Sequence, residues 1–214
     1  MAAGRAPRGP DRRAALAQYR ERAGVYDAEL RLFEPVRRRA VALLGLRRGD
    51  TVVDVGCGTG LSFALLEDAV GASGHLVGIE QSPEMIARAR ERVAAHGWDN
   101  VTLVNSPVED ARLPRLADAA LFHFTHDILR NPRAVARVCA RLRPDAPVVA
   151  CGLKWAPPWA VATNVGVFFA ALRSVTALEG LAQPWSHLAA HLDRVEVSSS
   201  LAGGVFVLRG SVRR

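Results

Sequence analysis

The segment Val52-Val53-Asp54-Val55-Gly56-Cys57-Gly58-Thr59-Gly60 limits the folds open to this chain more than any other. A short run rich in β-branched residues passes without a spacer into glycines at every second position, and then into helical sequence from Leu61. β-Branched side chains fit a pleated, buried strand. The glycines permit a tight turn and let a ligand approach the backbone with no Cβ in its way. In an open α/β sheet, the loop after the first strand lies on the ligand-binding edge, outside the carboxyl ends of the strands. The segment therefore predicts a fold class and the place of a site together.

The remainder of the chain keeps the same rhythm. Apolar runs over 51–55, 75–79, 101–104, 119–124 and 147–153 predict strands, with helical stretches between them. Ser82 before Pro83 opens a helix expected to bury Met85, Ile86, Ala89 and Val93. Asn131 before Pro132 opens another, expected to bury Val135, Val138, Cys139 and Leu142. Short buried strands alternating with such helices read as βαβ units on a parallel sheet. Two β-rich runs, 194–201 and 205–209, are joined by Ala202-Gly203-Gly204, which is a hairpin signal. The expected fold is α/β, a Rossmann-like three-layer αβα sandwich whose mostly parallel sheet ends in an antiparallel C-terminal hairpin.

A chain of 214 residues, half of them apolar, can bury one core. Residues 49–214 are expected to form that domain, and residues 1–48 a basic N-terminal arm with lid helices. Twelve basic and five acidic residues precede Gly49, against sixteen of each from there on, so the net charge of +7 belongs to the arm. Such an arm can attract nucleic acid or an anionic membrane through counterion release and steering. Its aromatics are only Tyr19, Tyr26 and Phe33, and the neutral remainder implies no extended basic groove, so a solvated tail is expected and no nucleic-acid partner.

Residues 1–10, with Gly4, Pro7, Gly9 and Pro10 among arginines, are expected to be disordered. A polar helix is expected from Asp11 and a second from Pro35, the latter with Val36, Ala40, Leu43 and Leu44 on one face. These helices can serve as a lid or as the contact of a homodimer. Cys57, Cys139 and Cys151 form no CxxC pair and are odd in number, which argues against a disulfide framework and fits a reducing cytoplasm. The uncharged run 155–172 is interrupted by Pro157, Pro158 and Asn164, so no membrane span is expected.

The glycine spacing bears on the ligand. A dinucleotide fingerprint wants glycine at the sixth position from Gly56, where this chain has Leu61; the third glycine comes one residue early, at Gly60. Asp54, inside the strand, suits a cationic ligand better than a pyrophosphate. S-adenosylmethionine carries a sulfonium and an ammonium. Twenty residues after Gly60, Glu80 ends the second strand, where a carboxylate can accept both ribose hydroxyls.

Together these residues resemble the class I S-adenosylmethionine-dependent methyltransferases, in particular the small-molecule branch that includes the quinone-biosynthesis type. The resemblance extends over roughly 49–210 and implies a seven-stranded sheet whose last strand is antiparallel. It implies S-adenosylmethionine as cofactor, S-adenosylhomocysteine as product and a small-molecule acceptor. Asp54, Gly56, Cys57, Gly58 and Gly60 would then cradle the cofactor, with Glu80 and Gln81 on the ribose. The segment Ser106-Pro107-Val108-Glu109 stands where the family commonly has Gly-Asp-Ala-Glu against the adenine; the usual Asp is missing, which leaves the adenine contact to backbone or to Glu109. Tyr26 resembles the family's N-terminal tyrosine that reaches the methionine carboxylate, although a packing tyrosine on an amphipathic helix would look the same.

Methyl transfer is an in-line displacement at a centre that already carries a good leaving group. Alignment can contribute about 7–11 kcal/mol, against about 10²–10⁴-fold from a general base. The acceptor is expected beyond the fourth strand, where His123, Thr125, His126 and Asp127 gather. His126, polarised by Asp127, is the leading candidate for a proton acceptor, and His123 can instead face the core or the cofactor. His187 and His191 are four apart, but no third ligand accompanies them and no metal site is expected. Trp155, Trp159, Phe168 and Phe169 follow the fifth strand, where in this family such residues roof an acceptor pocket; an apolar or aromatic substrate would follow. A nucleic-acid methyltransferase would carry Asn or Asp followed by Pro-Pro and an aromatic after the fourth strand, which this chain lacks. A non-catalytic S-adenosylmethionine binder stays open.

Overall fold

A computed structural model describes residues 30–174, 178 and 180–214. The expected disordered tail, the helix from Asp11 and Tyr26 lie outside the described residues. A 3₁₀ turn, Leu30–Phe33, leads into α1 (Glu34–Leu44), β1 (Thr51–Val55), α2 (Phe63–Val70), β2 (His75–Glu80), α3 (Pro83–His96) and β3 (Val101–Asn105). A second 3₁₀ turn, Val108–Asp110, precedes β4 (Ala119–His123), α4 (His126–Leu129), α5 (Pro132–Cys139) and β5 (Pro147–Leu153). The chain closes with α6 (Val161–Ser174), α7 (Ser186–Ala189), β6 (Leu192–Ser200) and β7 (Val205–Val212).

The strands form one seven-stranded sheet in the order β3-β2-β1-β4-β5-β7-β6. β1 pairs in parallel with β2 and β4, and β4 with β5, whereas β7 lies antiparallel to both β5 and β6. The strand order turns around between β1 and β4, which opens a crevice at their carboxyl ends.

Successive side chains of a strand point to opposite faces, and the sheet divides its apolar residues accordingly. Val53, Val55, Phe122, Val148 and Leu208 pack with Leu129, Val135 and Leu188 from α4, α5 and α7. On the other face Val52, Leu76, Leu121 and Val149 pack with Val36, Ala40, Phe63, Leu66 and Val167 from α1, α2 and α6. Every residue of β1 is therefore buried, which is why Val52, Val53 and Val55 form a short apolar run interrupted by Asp54.

The helix starts expected from Ser82 and Asn131 form as expected. Ser82 Oγ accepts from Met85 N, and Asn131 Oδ1 accepts from the amides of Arg133 and Ala134. Several boundaries differ from expectation. The helix expected from Leu61 begins at Phe63, because the chain is still turning, with Phe63 N donating to Gly60 O at 3.1 Å. β4 stops at His123 because Phe124 leaves the strand with φ 58°. Leu142 is buried but beyond the end of α5, and Val93 is only half-buried.

Candidate cofactor site

Gly56, Gly58 and Gly60 all have positive φ, at 71°, 56° and 78°. An L side chain resists that region, and at Gly56 space is lacking as well: a Cβ would lie 2.6 Å from Thr125 Cγ2 and 2.7 Å from Ile128 Cδ1. The loop is pinned by Cys57 N donating to Ile79 O and Gly60 N donating to Cys57 O, both at 2.9 Å.

Glu80, at the end of β2, is buried and closes the loop from the side. Its Oε2 accepts from Gly58 N at 3.1 Å and its Oε1 from Ser82 N at 2.8 Å. Burial raises its pKa, and these backbone donors act against that rise. A carboxylate oxygen can accept more than one hydrogen bond, so both keep capacity for a diol. Gln81 follows, half-buried. Beside them Ser106 N and Asn105 Nδ2 both donate to Glu80 O, which sets the Ser106-Pro107-Val108-Glu109 segment along the same edge; Val108 is buried and Glu109 half-buried.

Arg37, Asp54, Gly56, Thr59, Ser62 and His123 line one small cleft at the crevice. Arg37 comes from α1 and is 3% exposed. Its Nη1 is paired with Glu34, while Nε and Nη2 are buried with no hydrogen-bond partner among the described residues. Asp54 Oδ2 and His123 Nε2 are buried without a partner among the described residues too. Burial pushes the Asp54 carboxyl up to about 7, opposed by the positive charge of Arg37 and assisted by the negative charge of Glu80. Burial also pushes the His123 imidazole down to about 3, and Arg37 adds to that. Buried polar atoms are normally satisfied, so four orphans meeting in one cleft mark a place shaped for a polar guest. The guest must offer an acceptor to Arg37 and a cation or donor to Asp54.

Arg37 was not among the residues expected from sequence, yet a signal was there. Arg37, Ala40, Val41 and Leu44 follow the spacing of the buried face of α1, which puts an arginine where an apolar residue belongs. Phe124 follows His123, which lines the cleft. Its backbone lies in a region that a bulky residue avoids. Its ring meets Phe33 at 4.5 Å and His123 at 4.9 Å between centroids.

His126 lies elsewhere. It is buried, its Nε2 hydrogen-bonds Leu153 O at 2.7 Å, and its ring edges Phe206. A Cβ on Gly152 would lie 2.7 Å from its Cε1, so the glycine makes room for the imidazole against β5. Burial lowers its pKa, opposed by the bond to Leu153. Nε2 thus ties α4 to β5, while Nδ1 is buried with no hydrogen-bond partner among the described residues. Asp127 sits half-buried in the first turn of α4. His187 is exposed on α7 and His191 falls beyond that helix, so the two do not share a helical face. Among the described residues no group of His, Cys, Asp and Glu could hold a metal.

Residues 52–145 match the family model described as a methyltransferase domain. The chain is 33% identical over 129 residues to nocamycin O-methyltransferase of Saccharothrix syringae, a match over 60% of this chain and 41% of that one. It is 49% identical over 59 residues to protein-L-isoaspartate O-methyltransferase of Ignicoccus hospitalis, 28% of each chain. The chain thus spans less than half the length of either relative. The N-methyltransferase NodS of Bradyrhizobium japonicum, solved with S-adenosylhomocysteine, superposes with a TM-score of 0.67 at 16% identity, over 94% of this chain and 98% of NodS. That likeness establishes the fold. Among the described residues no helix is long and apolar enough to cross a membrane.

Proposed function

We propose that this methyltransferase domain binds S-adenosylmethionine in the Arg37–Asp54–His123 cleft and transfers its methyl group to a small apolar or aromatic acceptor. The observation that carries the reading is the set of four buried, unpartnered polar atoms. An amino-acid head group fits them, its carboxylate against Arg37 Nε and Nη2 and its ammonium against Asp54 Oδ2. Glu80 would take the ribose hydroxyls, and the Ser106–Glu109 stretch the adenine.

When bound, the cofactor supplies an electrophilic methyl on a sulfonium. The protein's part is alignment and exclusion of water. Three glycines with positive φ hold the loop rigid, and Arg37 and Asp54 fix the amino-acid end. The acceptor would approach past Phe124 and Phe33, whose paired rings favour a planar or apolar body. His123 is a hydrogen-bonding wall rather than a proton acceptor, because a group pushed down to about 3 does not hold a proton near neutrality. The acceptor's proton would leave to water, and alignment alone can supply most of the rate.

Titration calorimetry with S-adenosylmethionine, S-adenosylhomocysteine and NAD⁺ tests the cofactor. Micromolar binding of the first two, weakened by Glu80→Gln, is expected. Binding of NAD⁺ instead, or of none, would overturn the reading. Tritium transfer from labelled S-adenosylmethionine to a panel of phenols and naphthoquinols then tests the acceptor class.

A further inference from the structure

We propose that the outward face of α6, with the Pro157-Pro158-Trp159 corner before it, is a contact surface for a second copy of this chain. The inward side of α6 is accounted for, since Val167 and Ala171 are buried against the sheet. The outward side is apolar too. Val161, Val165, Phe169 and Leu172 stand 66, 51, 61 and 52% exposed, and Trp159 is 82% exposed. Steps of four, four and three residues align these side chains as one ridge, the form in which helices pack on helices. No charged residue occurs anywhere in 155–172. Single exposed apolar residues need no explanation, but a contiguous patch of this kind marks an interaction surface.

The shape of the patch indicates what covers it. A shallow groove of about 460 Å³ lies between the ridge and the preceding loop, lined by Trp155, Pro158, Val161, Val165, Phe168 and Phe169. Trp159 stands next to that groove without forming its wall. A protruding indole and an apolar groove on the same patch are what a twofold contact uses, because each copy presents the same surface and must be complementary to itself. Tryptophans seated in pockets are also the commonest anchors of such contacts.

Charge points the same way. The net +7 belongs to the first 48 residues, and α6 with the corner before it carries no charge over 155–172, so two copies meet there without like-charge cost. A lipid surface fits less well. Helices that lie on membranes flank their apolar face with several Lys and Arg, whereas α6 has Arg173 alone, and a lipid surface has no use for a groove. The inference stands apart from the cofactor assignment.

Sedimentation velocity on the full chain across the micromolar range reads the contact directly. The wild-type protein is expected to behave as a reversible dimer. Trp159→Ala should weaken it by about a thousandfold, because a hot-spot tryptophan contributes about thirtyfold and counts twice across a twofold axis. Phe169→Asp should give monomers, and both variants should melt at the wild-type temperature. A wild-type monomer at every concentration would overturn the proposal, as would a dimer that survives both substitutions. So would co-flotation with phosphatidylglycerol vesicles that Phe169→Asp abolishes, since the face would then belong to lipid. A monomer whose Trp159 is shielded from acrylamide would show instead that the chain covers the face itself.

Discussion

Arg37 carries the sharpest consequence at the scale of single residues. Two of its three guanidinium nitrogens are buried without a partner among the described residues, which costs folding free energy unless something arrives to accept them. A structural arginine and a binding arginine therefore make opposite predictions when replaced by Met, which keeps the stem and removes the donors. If Arg37 holds the cofactor's carboxylate, Arg37→Met should weaken S-adenosylmethionine binding by about tenfold to a hundredfold, the size of a lost charged hydrogen bond. The melting temperature of the unliganded protein should hold or rise, because the unsatisfied donors are gone and Glu34, partly exposed, keeps access to water. Arg37→Lys should fall between, since an ammonium lacks the planar fork. Calorimetry beside a thermal melt reads both quantities. Unchanged affinity with a lower melting temperature would return Arg37 to a packing role.

At the scale of elements, the glycine loop separates two costs that usually come mixed. Gly45, after α1, and Gly56, after β1, have similar backbone angles, φ 63° and 71°. A Cβ at Gly45 meets nothing within 4 Å, whereas at Gly56 it meets Thr125 and Ile128 below 3 Å. Gly45→Ala should therefore cost only the left-handed penalty, about 1–2 kcal/mol. Gly56→Ala should cost that plus overpacking, about 2–5 kcal/mol in all. Urea unfolding of the two variants checks the difference, and equal losses would mean that the contact with α4 yields freely. The same contrast explains what was legible in the sequence. Strands, caps and the glycine loop are local patterns, and the parallel βαβ units followed from their alternation with helices, whereas the strand order is set by crossovers that leave no local pattern. The surroundings of His126 are not legible, because its burial is decided across the sheet, by the missing side chain of Gly152 and the carbonyl of Leu153, which share no local pattern with it. Arg37 was passed over because a single arginine within Arg37-Arg38-Arg39 looks like surface charge until its two neighbours are found exposed and it is not.

For the whole molecule, Asp54 couples folding, pH and cofactor in one carboxyl. Its folded pKa of about 7 stands above the ordinary 3.8, so the folded state holds a proton that the unfolded state has released. The contribution to stability is full below about pH 4, falls as pH rises toward 7 and is lost above it. Three units correspond to about 4 kcal/mol in total. Glu80, raised as well, acts in the same direction. Binding runs the other way, because a cation needs the ionised form, and affinity should drop about tenfold for each pH unit below about 7. From about pH 5.5 to about pH 8 the free wild-type protein should thus lose stability relative to Asp54→Asn, since the lowered pKa values of His123 and His126 work in the opposite sense in both proteins, while the gain from a fixed excess of S-adenosylmethionine should be larger at the higher pH. Asp54→Asn cannot ionise. It should lack that loss, flatten the dependence of the ligand-induced gain on pH, melt higher than the wild type above pH 7 and bind the cofactor weakly throughout. A ligand-induced gain independent of pH in the wild type would mean that the Asp54 carboxylate never faces the cation, and the assignment of the cleft would have to be redrawn around Glu80 alone.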